Sequence, residues 1–306
     1  MKIKHYFGLA VIAAMTASCS SNEDLGTAGP GTGNNEAGVG YASITINLPT
    51  ANGTRAANDD FAEGTAKEYA VNDATLVIFE KGTETSENNF KFVEAVPLGN
   101  LEPWKKDTEN NGITTEATIT AKLNSAKVDK VGGNYYALVI LNNEATTGNK
   151  VTAPSATTET YGTWNVAAKV NADNLLDNAK GFYMANAPQF TTAGVEPTTL
   201  VAIKGIYRTK EEAQSNAATT IHVERGLAKV TVGSNSTSNY FAIGGANATG
   251  TKYSSDKVQI TKWALDVTNK KSFPVHVTSG LNDKTTGYPD IWKNEKAAAG
   301  LSLIHI

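Results

Sequence analysis

The feature that most constrains this chain is a succession of short apolar segments separated by polar turns. Residues 74–79 and 135–141 are almost uninterrupted apolar runs of strand length, whereas Ile119, Ala121 and Leu123 alternate with polar residues. An uninterrupted run is typical of a strand buried on both faces, and alternation is typical of a strand buried on one face. Many such segments with few helical patterns predict an all-β sandwich fold.

Helical patterns are confined to two polar segments. Residues 173–179 predict a short helix closed by Gly181, and residues 209–218 predict another. A second series of strands follows, in which the apolar positions change parity at Arg225 and Gly226, so that a bulge or a bend is required there. We interpret Arg225 as a paired structural residue rather than a functional one.

The first strand is followed at once by a segment that a protease could cut. Ile44, Ile46 and Leu48 alternate with polar residues, which predicts a half-buried strand that ends at Pro49. Arg55 then lies among small polar residues, in a soft segment of the kind that proteases cleave. This arrangement favours a strand made to be removed. The alternative is an ordinary first strand and an ordinary surface arginine.

The amino terminus has the features of a signal peptide, residues 1–19. Its apolar run, residues 7–15, is shorter than the ~20 residues that span a bilayer. Small residues before the lone Cys19 resemble the lipobox of bacterial lipoproteins, although Thr16 is a less usual occupant of its position. We therefore expect the mature chain to begin at a lipidated Cys19, the alternative being a buried free cysteine.

Composition limits what the exported chain can be. Residues 20–40 offer almost nothing to bury and indicate a flexible tether, in which Glu23 and Asp24 resemble a surface-export signal or simply a solvated linker. No cysteine follows Cys19, so no disulfide forms and the core must hold the fold. Hydrophobic residues make up 40% of the chain, enough for about two domains, and a net charge of −3 argues against a nucleic-acid partner.

The sequence offers little catalytic chemistry. Its four histidines are scattered without metal-ligand spacing, and no cysteine pair, phosphate-binding loop or nucleophile elbow is present. We therefore expect no catalytic, cofactor or metal site and no enzymatic activity.

A family resemblance rests on a set of motifs that occur in the family's order. They are the lipobox-like Cys19, the strand 42–48, Gly-Thr-Arg55-Ala56, and residues 136–142, 181–184, 223–230 and 263–270. Together they resemble the major fimbrillin family of anaerobic Gram-negative bacteria, the FimA/Mfa-like subunits of type V pili. The resemblance covers nearly the whole chain, and the set is specific although no single motif is.

The resemblance implies a fold, a maturation pathway and partners. The fold is two tandem transthyretin-like, Greek-key β-sandwiches with short helices in loops. Such subunits are outer-membrane lipoproteins, and an arginine-specific protease would cut between Arg55 and Ala56, removing the strand that carries Ile44, Ile46 and Leu48. A neighbouring subunit's strand then fills the groove, which builds a fimbria for adhesion and biofilm formation. Expected partners are other fimbrial subunits, including anchor and tip proteins, the protease, the membrane and surface ligands of host or bacterial cells.

The end of the chain departs from the family. We divide the chain into the signal peptide 1–19, a propeptide 20–55, an N-terminal sandwich 56–217 and the start of a C-terminal sandwich 218–300. Residues 301–306 match the translation of a transposase end used in sequencing libraries, so we interpret them as an adapter artefact rather than a hydrophobic terminus. The second domain is then expected to be incomplete and to lack its donor strand.

Another class of function also fits a tethered β-sandwich. A tip or minor fimbrial adhesin, or a glycan-binding surface lipoprotein, would carry a cluster of exposed aromatic residues. Trp104, Trp164, Trp263 and Trp292 are too dispersed in the sequence to indicate one.

Overall fold

The computed structural model describes part of the chain. The described residues are 39–49, 66–99, 101, 104, 114–177, 179–189, 196–227, 240–242, 257–259, 262, 264 and 270–279. Cys19, Arg55 and Ala56 lie outside them, as do the predicted signal peptide and residues 301–306. Across the described ranges, no helix has the length and apolar character needed to cross a membrane.

Strands dominate the described residues. They are β1 (Gly40–Asn47), β2 (Ala74–Glu80), β3 (Lys91–Pro97), β4 (Glu116–Leu123), β5 (Tyr135–Leu141), β6 (Val170–Asn171), β7 (Leu176–Asp177), β8 (Gly181–Phe182), β9 (Met184–Asn186), β10 (Val201–Ala202), β11 (Thr219–Arg225), β12 (Tyr240–Ala242), β13 (Lys257–Gln259) and β14 (Lys271–Ser272). The helices are α1 (Ala66–Tyr69), α2 (Tyr161–Ala167) and α3 (Lys210–Ser215), with 3-10 turns at Glu87–Asn89 and Ala172–Leu175. The predicted all-β class is confirmed.

Eight strands form one mixed sheet. Its order is β3-β2-β5-β9-β11-β1-β4, and β10 pairs with β5 beside this path. The β1–β11 pairing is parallel, and the other ladders of this sheet are antiparallel. β1, the first strand among the described residues, therefore lies inside the sheet rather than at its edge, with β4 on one side and β11 on the other.

The burial of the strands follows their sequence patterns. Along β4, exposed and half-buried residues alternate with buried ones, as the sequence predicts from Ile119, Ala121 and Leu123. β5 is buried on both faces, and only Tyr136 is partly exposed. Successive side chains of a strand point to opposite faces, so β5 must contribute to two apolar layers.

Two apolar cores lie on the two faces of the sheet. The first includes Leu76 and Ile78 of β2, and the second includes Val77 and Phe79 of the same strand. Helix α2 covers the second core with Trp164, whose indole N–H donates to a backbone carbonyl at 2.8 Å. The first core contains the inward residues of β1, β4, β5 and β11, so β1 belongs to the interior of the sandwich.

Strand β5 ends at Leu141, as the apolar run 135–141 predicts, and Asn142 follows it. This residue adopts a left-handed conformation with φ of 55°, which asparagine tolerates better than most residues. Its side-chain oxygen accepts a hydrogen bond from the N–H of Asn72, and its amide donates to the carbonyls of Ala70 and Phe182. Three hydrogen bonds therefore fix the end of the strand.

Some local expectations need correction. The segment predicted as a helix, 173–179, is a 3-10 turn followed by β7, because Leu176 and Asp177 pair with β8. Within residues 200–206, strand pairing is limited to the two residues of β10. The helix expected within 209–218 is confirmed as α3, where the hydroxyl of Thr209 accepts from the N–H of Glu212.

Strand β11 has a different place from the one the sequence suggested. We assigned it to the start of a second sandwich, yet it pairs with β9 and β1 in the eight-stranded sheet. Its alternating pattern specifies a half-buried strand but not which strands lie beside it. The division of the chain at 217/218 stays a prediction, since much of 228–300 lies outside the described residues.

Candidate assembly site around the first strand

β1 is hydrogen-bonded along both edges. On one side it runs antiparallel to β4 over all 8 of its residues. On the other side residues Ile44–Asn47 run parallel to β11. Tyr41 exchanges two backbone hydrogen bonds with Tyr207, each 2.8 Å between nitrogen and oxygen. Removing β1 would therefore expose the unpaired backbone groups of two strands at once.

The inward face of β1 is buried. Ala42, Ile44 and Ile46 are 0% exposed and Leu48 is 4% exposed. Burial of each large apolar side chain contributes ~1.5–3 kcal/mol, so the three largest contribute roughly 5–9 kcal/mol to keeping β1 in place. Because unfolded chains already bury some surface, this sum is an upper bound.

The outward face of β1 carries hydroxyl pairs. The side-chain oxygens of Ser43 and Thr120 lie 3.4 Å apart, and those of Thr45 and Thr118 lie 2.8 Å apart. Cross-strand pairs of this kind contribute about 0.2–1 kcal/mol each. They contribute far less to the stability of β1 in the sheet than the apolar face does. They do, however, require a hydroxyl side chain at positions 43 and 45.

The end of β1 lies between an imidazole and a carboxylate. Asn47 is opposite His222 of β11 on one side and opposite Glu116 of β4 on the other. Burial lowers the pKa of His222, while the charge of Glu116 acts in the opposite direction and is the weaker effect. The imidazole is therefore neutral at pH 7, and any residue in the place of Asn47 meets one neutral and one acidic neighbour.

β4 is held in the fold by hydrogen bonds to β1 and to one glutamate. Among the described strands, β4 forms a ladder with β1 alone. Its end is held separately by Glu94 of β3, a buried side chain. This carboxylate accepts hydrogen bonds from the N–H groups of Asn124, Ser125 and Ala126, at 2.8, 2.9 and 2.7 Å. We call this arrangement the Glu94 clamp, and it joins the two end strands of the sheet order.

Removing the Glu94 clamp should destabilise the protein. Glu94→Ala leaves three N–H groups without their acceptor, and we expect the free energy of unfolding to fall by about 3 kcal/mol. Glu94→Gln keeps one acceptor oxygen, so its loss should be about half as large. Urea denaturation of both variants measures the difference. An alanine variant within about 0.5 kcal/mol of wild type would show that the clamp contributes little.

Arg225 anchors helix α1. Its guanidinium carbon lies 4.7 Å from the ring centroid of Tyr69, and its Nη2 donates to the carbonyl of Glu68 at 3.2 Å. Cation–π contacts of this kind contribute about 0.5–2 kcal/mol. Helix α1 is therefore fixed to the end of β11, which supports the structural interpretation of Arg225.

Two of the four tryptophans can be placed. Trp104 and Trp164 are both only 3% exposed, so neither forms part of a surface aromatic cluster. Trp263 and Trp292 lie outside the described residues. The structure thus gives no support, in the part it describes, to a tryptophan-based glycan platform.

A cleft of about 640 Å³ lies beside α2. Glu87 lines it and accepts hydrogen bonds from the N–H groups of Thr199 and Leu200, while burial raises the pKa of its carboxyl group. His276 also lines the cleft, and its Nδ1 lies 2.9 Å from Oε1 of Glu224. These groups hold neighbouring segments together. No three potential metal ligands converge anywhere in the described ranges.

The chain was compared with known proteins. No protein-family model and no curated protein matches it. One similar solved structure is a protein of Parabacteroides distasonis described as a candidate for cell adhesion, with 13% identity and a TM-score of 0.32, over 61% of this chain and 45% of that chain. Another is a fimbrial assembly protein of the same organism, with 10% identity and a TM-score of 0.26, over 60% and 51% of the two chains. This chain thus spans about half the length of both structures.

Proposed function

We propose that this chain is the precursor of a structural subunit of a cell-surface fimbria. In this proposal it is exported as a lipoprotein, cut between Arg55 and Ala56, and polymerised by exchange of its first strand for a strand of a neighbouring subunit. The fimbria then serves adhesion and biofilm formation. The protein acts as a building block and catalyses no reaction.

One observation carries this proposal: β1 is an internal strand at the very start of the described fold. Both of its edges are hydrogen-bonded and its apolar side chains are buried, yet Arg55 follows it closely in the sequence. A single cut at Arg55 would therefore separate a strand of the core from the rest of the chain without breaking any other strand of the sheet.

The cut changes how β1 is held. Before cleavage the connecting segment keeps β1 at a high effective concentration beside its own slot, the space between β4 and β11. After cleavage only the noncovalent contacts remain, and a matching strand of a neighbour can compete for them. An open slot would expose two rows of unpaired N–H and C=O groups, which favours rapid pairing with another chain.

The partners in this proposal follow from the same steps. Lipid on Cys19 anchors the precursor to the outer membrane, and an arginine-specific protease releases the mature subunit at the cell surface. Other fimbrial subunits, both identical copies and anchor and tip proteins, then supply and receive strands. Contact with host or bacterial surface ligands is made by the assembled fimbria.

The maturation step is tested by limited proteolysis. An arginine-specific protease should convert the folded precursor into one main product that begins at Ala56, because Arg55 stands among small and polar residues in the sequence between β1 and α1. Sequencing of the new amino terminus identifies the site. Arg55→Ala should remain folded and uncut at this position. A native product that begins elsewhere, or an uncut wild type, would contradict the proposal.

The anchoring step is tested by lipid labelling. Cys19→Ser should abolish incorporation of a labelled fatty acid in the producing cell and leave an unprocessed precursor, because only a thiol accepts the lipid. Fractionation should then find the variant outside the outer-membrane lipoprotein fraction. Continued labelling of the serine variant would exclude Cys19 as the lipid site.

A further inference from the structure

β1 begins at a glycine whose site has no room for a side chain. A Cβ atom added at Gly40 would lie 2.7 Å from Cγ2 of Ile206 and 3.5 Å from the carbonyl oxygen of Ala126. Carbon atoms in van der Waals contact lie ~3.5–4.0 Å apart. Ile206 is itself 0% exposed, so its methyl group can move only if the core repacks.

The inward positions of β1 then increase in size along the strand. Gly40 fills its site without a side chain, Ala42 is fully buried with a single methyl, and Ile44, Ile46 and Leu48 are large. The slot therefore has a narrow end at Gly40, where Ile206 and Tyr207 lie beside the strand, and a wide end at residues 44–47, where β4 and β11 lie on its two sides. A strand that fits must follow the same gradient.

The gradient also fixes the register. A slip that brings Ala42 to the place of Gly40 puts a methyl 2.7 Å from Cγ2 of Ile206 and puts Ile44 in the fully buried place of Ala42. A slip in the other direction puts Ala42 in the place of Ile44 and leaves a cavity. A slip of one residue turns the apolar face outward. Only one alignment satisfies all inward positions.

We propose that the slot between β4 and β11 selects its incoming strand by a glycine at the position of Gly40, followed at every second residue by alanine and then by three large apolar side chains, in a strand that runs antiparallel to β4. This inference rests on the proposed function, because it names the strand that the same slot accepts. Outward hydroxyls matching Ser43 and Thr45 would add pairing to Thr120 and Thr118.

The test uses the full-length protein with a recognition sequence for an unrelated protease inserted after residue 50, so that the cut does not depend on Arg55. After the cut, a fluorescent peptide of residues 39–49 competes with its own Gly40→Ala and Gly40→Val variants. A Tyr41→Val peptide is the matched control, because it places the same β-branched side chain on the outward face. Binding to an Ile206→Ala protein provides the complementary measurement.

We expect the native peptide to be captured, the Tyr41→Val peptide to be captured nearly as well, and the Gly40→Val peptide to bind about tenfold more weakly or worse. Ile206→Ala should restore most of the binding that the Gly40→Ala peptide loses. Equal capture of the native and Gly40→Val peptides, or no restoration, would overturn the glycine rule while leaving strand exchange intact. Failure to capture even the native peptide would reject the proposed function itself, and with it this inference.

Discussion

Ile46→Asp should be the most damaging single change in the first strand, lowering the free energy of unfolding by more than about 4 kcal/mol. Ile46 is 0% exposed, and its backbone pairs with Ile221 on one side and Ala117 on the other. The substitution removes an apolar side chain from the first core and buries a carboxylate among apolar side chains. Burying a charge without a partner is costly. Chemical denaturation of the uncut precursor measures the loss.

Two controls separate burial from other effects of the Ile46 substitution. Ile46→Val removes one methylene and should cost about 0.5–1.5 kcal/mol. Thr45→Asp introduces the same charge on the half-exposed outward face and should cost under about 1.5 kcal/mol, mainly through loss of the hydroxyl pair with Thr118. If Ile46→Asp were no more damaging than Thr45→Asp, β1 would not be a strand of the core.

Loss of β1 should expose its two neighbours selectively. In the cut protein from which the strand has been dissociated, backbone amide exchange in β4 and β11 should accelerate by about a hundredfold or more, because both strands lose a ladder. β4 should be affected more strongly, because β11 keeps its ladder with β9, whereas β4 has no other ladder among the described strands and keeps only the Glu94 clamp at its end.

The same measurement contains its own control. β2 and β5 pair with each other and lie away from the slot, so the exchange of their amides should change little. Adding a peptide of residues 39–49 should restore protection in β4 and β11. Unchanged exchange in β4 after loss of β1 would show that β4 does not need a strand in the slot.

The sequence predicts the burial pattern of each strand better than it predicts the position of that strand in the sheet. Alternation at Ile44, Ile46 and Leu48 correctly indicates a strand with one buried face, because the period of two depends only on neighbouring residues. Placement between β4 and β11 depends on pairing with residues far along the chain, which the pattern does not encode. For the same reason the sequence did not predict that β11 pairs with β1 and β9.

The roles of two residues of the candidate site, Gly40 and Glu94, could not be predicted from the sequence. Gly40 looks like the end of a flexible tether, and its steric role appears only when Ile206 is seen beside it. Glu94 looks like an ordinary charge within an apolar strand, and its partners lie in the turn after another strand. Composition also does not show where pairing stops, as in β10, whose pairing with β5 covers only Val201 and Ala202.

The central claim is that β1 becomes exchangeable once the chain is cut at Arg55. Native mass spectrometry of the cut protein, mixed with an excess of isotopically labelled peptide of residues 39–49, measures this directly. We predict that the labelled peptide replaces the cut-off segment one for one in the cut protein and does not enter the uncut precursor. The account would be contradicted if the cut protein failed to exchange its strand, or if the uncut precursor took up the peptide equally well. Either result would show that cleavage does not make β1 exchangeable.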